Sequence, residues 1–136
     1  MNLTFEIVSG DFSRAGRASS QIKKVLKQLQ VDAKVIKRIV VAIYEAEVNV
    51  VAHSVGGILN ANIDESGIKI EIKDNGPGIK DIEKAMKKGY STASKKVRDM
   101  GFGAGMGLPN IKKNTDELSI KSEVGVGTTL TFRNNF

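Results

Sequence analysis

Ile68-Lys69-Ile70-Glu71-Ile72-Lys73-Asp74-Asn75-Gly76-Pro77-Gly78 is the stretch whose reading decides the fold. Isoleucine alternates with charge, so an extended chain here has one apolar face and one charged face. That pattern predicts a strand with one side in a core and the other in water. The strand runs straight into turn residues. Gly76 and Gly78 permit a tight turn and close backbone approach to a ligand, and Pro77 stiffens the turn between them.

Upstream, a Ser66-Gly67 turn separates this strand from a second run with Leu59, Ala61 and Ile63 on one face. Two such runs joined by a short glycine-containing turn predict an antiparallel hairpin. Gly56-Gly57 stops a helix capped by Asp32, whose apolar face is Ile36, Ile39, Val40, Ile43 and Val50. Before it, Asp11 or Ser13 is placed to cap a helix running to about Gln30, with Ala18, Ile22, Val25, Leu26 and Leu29 at helical spacing. Leu3–Val8 alternates and predicts a first strand.

Downstream, Asp81–Lys88 predicts a short helix with Ile82, Ala85 and Met86 inward. Gly89–Gly105 is polar, rich in glycine and aperiodic, and loops of that length are usually functional. A helix is expected from near Gly107 to near Asn114, followed by a hairpin of Glu117–Glu123, a Gly125/Gly127 turn and Thr128–Arg133. The strands come in pairs rather than alternating with helices. One α+β domain over residues 1–136, a two-layer sandwich, follows from that order.

Composition narrows the function. The chain has 136 residues and no cysteine, which excludes disulfides and thiolate metal sites. Met1–Gly10 lacks a signal-peptide pattern, and no apolar run approaches the ~20 residues that span a bilayer. A cytoplasmic protein without a membrane partner is the expectation. The net charge of +6 suits nucleic acid, an anionic ligand or an acidic protein. Most lysines lie opposite apolar helix positions, as solvated faces do. The aromatics, 5% of the chain, are not interleaved with the basic clusters as base-stacking platforms require, so nucleic acid is not expected.

Four groups of residues could carry chemistry. Glu45, Asn49 and His53 are spaced by four and line one edge of the second helix. The Asn49 amide oxygen is a hard ligand suited to Mg²⁺. Glu45 could accept a proton from an attacking hydroxyl, and His53 could donate to a phosphate. An amphipathic helix with ordinary polar positions would show the same spacing. Asp74, ending its strand, could accept a hydrogen bond from the exocyclic amine of adenine, or belong to a plain polar turn. Gly101-Phe102-Gly103-Ala104-Gly105-Met106-Gly107-Leu108 leads into a helix, where exposed amides favour phosphate. It is neither a P-loop nor a dinucleotide fingerprint, and as a bare glycine run it could be a hinge. In Gly125-Val126-Gly127-Thr128, the Thr128 hydroxyl could reach a ligand or water beside Asp74.

In order and spacing these four segments resemble the N, G1, G2 and G3 boxes of the histidine-kinase-like (GHKL) ATPases, over about Ile39–Phe132. The resemblance implies the Bergerat fold, a mixed, mostly antiparallel sheet with helices on one face, and it implies ATP and Mg²⁺. It implies Asn49 as metal ligand and Glu45 as catalytic base. Asp74 would read adenine, with Gly76, Gly78 and Ile79 shaping its pocket and Thr128 assisting. His53 and the segment Gly103, Ala104, Gly105, Met106, Gly107 and Leu108 would lie on the phosphates, and Ser91 and Thr92 would contact the nucleotide on entering the lid. His53 is the chain's one histidine, so a phosphoacceptor histidine of sensor kinases is not present. Gly78-Ile79, Gly89-Tyr90-Ser91-Thr92 and Gly105–Lys113 look most like the stressosome switch-kinase branch of the anti-sigma-factor serine/threonine kinases.

That likeness implies a kinase phosphorylating a small STAS-domain protein. It also names a sigma factor or a downstream phosphatase as further partners, and a homodimer through the exposed first strand. Sigma-binding members carry charged residues just ahead of Gly-Met-Gly, where this chain has Phe102, Gly103 and Ala104. A nucleotide-gated anti-sigma factor or partner-binding module without kinase activity is the alternative reading.

Overall fold

A computed structural model describes residues 1–53, 56–76 and 107–136, with the His53 side chain outside the description. The expected short helix at 81–88 and the loop at 89–105 lie outside the described residues. The elements run β1 (Asn2–Ile7), a 3₁₀ turn (Phe12–Arg14), α1 (Arg17–Gln28), α2 (Ala33–His53), β2 (Gly57–Ile63), β3 (Gly67–Asp74), α3 (Gly107–Lys113), β4 (Glu117–Glu123) and β5 (Gly127–Asn135).

The strands form one sheet in the order β1-β2-β3-β5-β4. All four pairings are antiparallel, so the parallel component of the expected mixed sheet is absent among the described residues. Alternation sets the two faces. Leu59, Ala61, Ile63, Ile68, Ile70, Ile72, Leu130 and Phe132 are buried on one face. Asn60, Asn62, Lys69, Glu71 and Lys73 are exposed on the other. The buried face shares one core with Ile22 and Leu26 of α1, Ile39 and Ile43 of α2, and Ile111 of α3. The fold is therefore the two-layer α+β sandwich, with helices on one side of the sheet.

Asp32 caps α2 as expected. Its Oδ1 accepts from the Lys34 amide at 2.9 Å and its carbonyl accepts from the Ile36 amide. The start of α1 corrects the sequence reading. Neither Asp11 nor Ser13 caps it: Ser13 Oγ donates to Asp11 Oδ1, and the chain makes a 3₁₀ turn there instead. The helix begins after Gly16, which takes a positive φ of 95°. Its first amides are satisfied from α2. Glu47 Oε2 accepts from Gly16 N at 3.2 Å and Ala18 N at 3.1 Å, and Oε1 accepts from Ser19 N at 2.8 Å. One carboxylate buried in the core thus closes the N-terminus of a neighbouring helix.

β5 also runs two residues past the expected Arg133. Asn134, fully buried, continues the ladder opposite Ile68 and donates from Nδ2 to the Asn114 carbonyl at 2.7 Å, tying the strand to the end of α3.

At the other end of β5, Gly127 has φ 145°, and a Cβ there would run into the Asp74 carbonyl. Both space and backbone therefore require glycine. Gly127→Ala is expected to cost about 3 kcal/mol, since strained φ and a backbone clash add. A thermal melt of the purified variant checks this, and an unchanged melting temperature contradicts the crowding.

Candidate functional site

The sheet brings one end of the site together as a rank across four strands. Asp74 on β3 pairs with Gly57 of β2 and Thr128 of β5, and Thr128 pairs with Ser122 of β4. Asp74 keeps the phase of Ile70 and Ile72, and Thr128 that of Leu130 and Phe132, so both side chains stand on the helix-covered face. Asp74 Oδ1 accepts from the Gly76 amide at 2.8 Å, a turn that fixes the carboxylate. Its Oδ2 has no hydrogen-bond partner among the described residues. Thr128 Oγ1 and Ser122 Oγ lie 2.8 Å apart and share a hydrogen bond. On the β2 side of Asp74 the rank carries no side chain, because Gly57 stands there, and a Cβ on Gly57 would stand 2.8 Å from the Lys73 carbonyl oxygen.

The other end is built by α2 and α3. Glu45 is half-buried, and Asn49 is half-buried one turn further along the same face. Asn110 Nδ2 donates to Glu45 Oε1 at 3.3 Å. Glu45 Oε2 lies 3.6 Å from where a Cβ on Gly107 would stand, so the carboxylate sits at the first residue of α3. Glycine leaves that approach uncrowded, and a negative group at a helix start is electrostatically favoured. Helix α2 joins the two ends. Glu45 to His53 spans about 12 Å at the α-helical rise. Four residues beyond His53, Gly57 is already paired with Asp74.

Of the residues expected from sequence, the structure places Glu45, Asn49, Asp74, Gly76, Gly107, Leu108 and Thr128 on the elements anticipated for them. It joins Asp74 to Gly76 and Thr128, and Glu45 to Gly107. Leu108 is buried in the core, where it anchors α3 rather than facing open space. The side chain of His53, and Gly78, Ile79, Ser91, Thr92, Gly103, Ala104, Gly105 and Met106, lie outside the described residues. Two residues were not anticipated. Asn110 orients Glu45 and Ser122 orients Thr128. Asn110, three residues into a short helix, carries a sequence signal in hindsight: its i+3 spacing from Gly107 puts it on the side facing Glu45.

These donors fit an adenine nucleotide with a hard cation. Asp74 offers a fixed acceptor oxygen beside backbone left bare by glycine. Asn49 offers an amide oxygen that makes no side-chain hydrogen bond among the described residues. Glu45 adds a held carboxylate. Oxygen donors of this kind suit Mg²⁺, which keeps part of its shell for phosphate and water.

Comparison with known proteins gives the same direction. The family profile described as histidine kinase-like ATPase domain matches residues 8–134. The chain is 35% identical over 112 residues to the serine/threonine-protein kinase RsbT of Bacillus subtilis (strain 168), covering 79% of this chain and 78% of that one. It is 37% identical over 106 residues to the anti-sigma F factor of Thermoanaerobacter sp. (strain X514), covering 74% and 71%. Among solved structures, the RsbU and RsbW domains of a Mycobacterium tuberculosis protein superpose with a TM-score of 0.66 at 19% identity. That match covers 98% of this chain and 32% of the longer one, and it speaks to the fold. No helix among the described residues is long and apolar enough to cross a membrane.

Proposed function

This chain belongs to the histidine kinase-like ATPase domain family, and on that premise we propose that it is an ATP-dependent serine/threonine kinase of a small STAS-domain regulatory protein in a partner-switching pathway. The observation that carries the reading is the Glu45 carboxylate, held by Asn110 at the start of α3 and sharing a helix face with Asn49. The likeness to a named serine/threonine kinase supports the reaction class.

In this reading Asp74 accepts from the adenine amine and Thr128, steadied by Ser122, completes that end. Gly76, Gly78 and Ile79 shape the pocket. Asn49 holds Mg²⁺, which when bound supplies charge neutralisation on the phosphates. Gly103, Ala104, Gly105, Met106 and Gly107 cover the phosphates with backbone amides, Leu108 seats the covering segment in the core, and His53, Ser91 and Thr92 contact the nucleotide. Glu45 takes the proton of the substrate hydroxyl as its oxygen forms a bond to the γ-phosphorus. The bond from that phosphorus to the β-phosphate oxygen breaks, and ADP leaves. Positioning and charge neutralisation do most of the work in such transfers. A homodimer through β1 fits the same reading, since that strand pairs only with β2 among the described residues.

Incubation with labelled ATP and the cognate STAS protein tests the proposal: label on a serine or threonine of the partner is expected, and none after prolonged incubation overturns it. Asp74→Asn keeps an oxygen for the Gly76 amide but trades the carboxylate for a neutral amide. ATP affinity is expected to fall about tenfold to a hundredfold, the worth of a hydrogen bond to a charged group. Titration calorimetry reads it, and wild-type affinity removes Asp74 from the adenine site.

The likeness to an anti-sigma F factor favours a second reading, in which nucleotide gates the holding of a sigma factor without transfer. Co-purification with and without nucleotide separates the two. A partner held tightly and never phosphorylated decides for the second.

A further inference from the structure

The N-terminal half of α2 and the adjoining face of α1 enclose a groove of about 470 Å³ that the phosphotransfer site does not use. Val31, Ile36, Val40 and Val41 form its floor, and Lys23, Lys27 and Lys37 stand on its rim. No acidic residue lines it. Among the described residues, none of the three lysines forms a salt bridge. Ile36 lies about 20 Å along the helix from Asn49 at the α-helical rise, so a molecule seated here leaves the nucleotide end clear.

We propose that this groove docks an acidic amphipathic helix of a partner protein. An apolar floor below a rim of cations is matched by a helix with an apolar stripe flanked by carboxylates, the arrangement of helix-in-groove recognition. The lining residues of α2 run from Ala33 to Val41, about 12 Å at the α-helical rise, so two turns of a docked helix lie along them. The shape argues against the other occupants. Lys23, Lys27 and Lys37 are exposed while Ile36 is buried and Val31, Val40 and Val41 are half-buried, so a flat bilayer meets charge before apolar surface, whereas side chains projecting from a helix reach in. A second copy of this chain presenting the same face would set Lys23, Lys27 and Lys37 against their own equivalents, and like charges repel. The proposal is independent of the kinase reading.

The test uses the full chain and a fluorescent peptide of about 14 residues, four helical turns. Leucine stands at helical spacing and glutamate at the flanking positions. Fluorescence anisotropy should show saturable binding, with backbone amide shifts confined to α1 and the first half of α2. Lys27→Glu/Lys37→Glu, a surface variant expected to melt like wild type, should weaken binding at least tenfold. Val41→Asp should weaken it similarly through the floor. A peptide with lysine for glutamate should not bind. The proposal is overturned by absence of binding, by equal binding of a scrambled acidic peptide, or by undiminished binding to Lys27→Glu/Lys37→Glu. Preference for phosphatidylglycerol vesicles over the peptide assigns the groove to a membrane. Self-association lost in Val41→Asp assigns it to a second copy. Either result replaces the proposal.

Discussion

Glu45→Gln is expected to slow phosphoryl transfer about 10²- to 10⁴-fold, the range that a positioned general base contributes, while leaving ATP affinity within a small factor of wild type. The amide is isosteric with the carboxylate and keeps one oxygen for Asn110 Nδ2. What it loses is the ability to take a proton. Loss of rate without loss of binding separates a base from a residue that merely holds the nucleotide. Asn110 acts through Glu45, so Asn110→Ala should give a smaller loss, about tenfold, and should change nothing further in the Glu45→Gln background. Single-turnover transfer to the proposed STAS partner, with ATP affinity measured in parallel, reads both. A Glu45→Gln protein that transfers at the wild-type rate removes the base from the mechanism.

Glu47→Ala is expected to produce a loss of stability as large as that of Gly127→Ala. It deletes the acceptor for three backbone amides at the start of α1, two of them buried, and opens a hole in the core. Unsatisfied buried donors cost about 1–3 kcal/mol each, and with partial relaxation the total should be about 3 kcal/mol. That lowers the melting temperature by about 10 °C for a chain of this size. The pH dependence is a second signature. Burial pushes the Glu47 carboxyl above its ordinary value of 4.5, outweighing the hydrogen bonds from Ser19, Ala18 and Gly16 that favour the charged form. The folded state therefore keeps the proton to higher pH than the unfolded chain. The corresponding stability is fully present below pH 4.5 and is lost as pH rises through the raised folded value. Wild type should lose stability across that window and Glu47→Gln should not, as denaturant titrations at a series of pH values would show. An Ala variant that melts like wild type refutes the capping role.

The two carboxylates of α2 show what sequence could tell. Glu45 was legible because its partners Asn49 and His53 follow at helical spacing. Glu47 was not, because its partners are the amides of Gly16, Ala18 and Ser19, about thirty residues earlier in the chain. Local signals pointed to Asp11 and Ser13, which satisfy each other instead. The strands were legible from alternation. Ile68, Ile70 and Ile72 declare a buried face, and the Ser66-Gly67 turn declares the hairpin. The end of β5 was not, since Asn134 is polar and its burial depends on a carbonyl at the end of α3. In the site, Asp74 and Thr128 could be put on strand ends from pattern alone. Their pairing with each other and with Ser122 is a fact of sheet order, in which β5 rather than β4 lies against β3. Such order follows from how the whole apolar surface is covered, and no single segment carries it.

The rank of Gly57, Asp74, Thr128 and Ser122 also makes strand slippage a functional variable. Side chains alternate with a period of two, so moving β5 by one position against β3 would carry Thr128 to the solvent side and bring a neighbour to Asp74 in its place. Gly127 blocks that slip mechanically, because only glycine passes the Asp74 carbonyl. The turn between β4 and β5, where Val124 and Val126 are exposed, lies outside that block. A single insertion within the strand would instead turn the site inside out. Over evolutionary time, indels should accumulate at 124–126 and stop abruptly at 127.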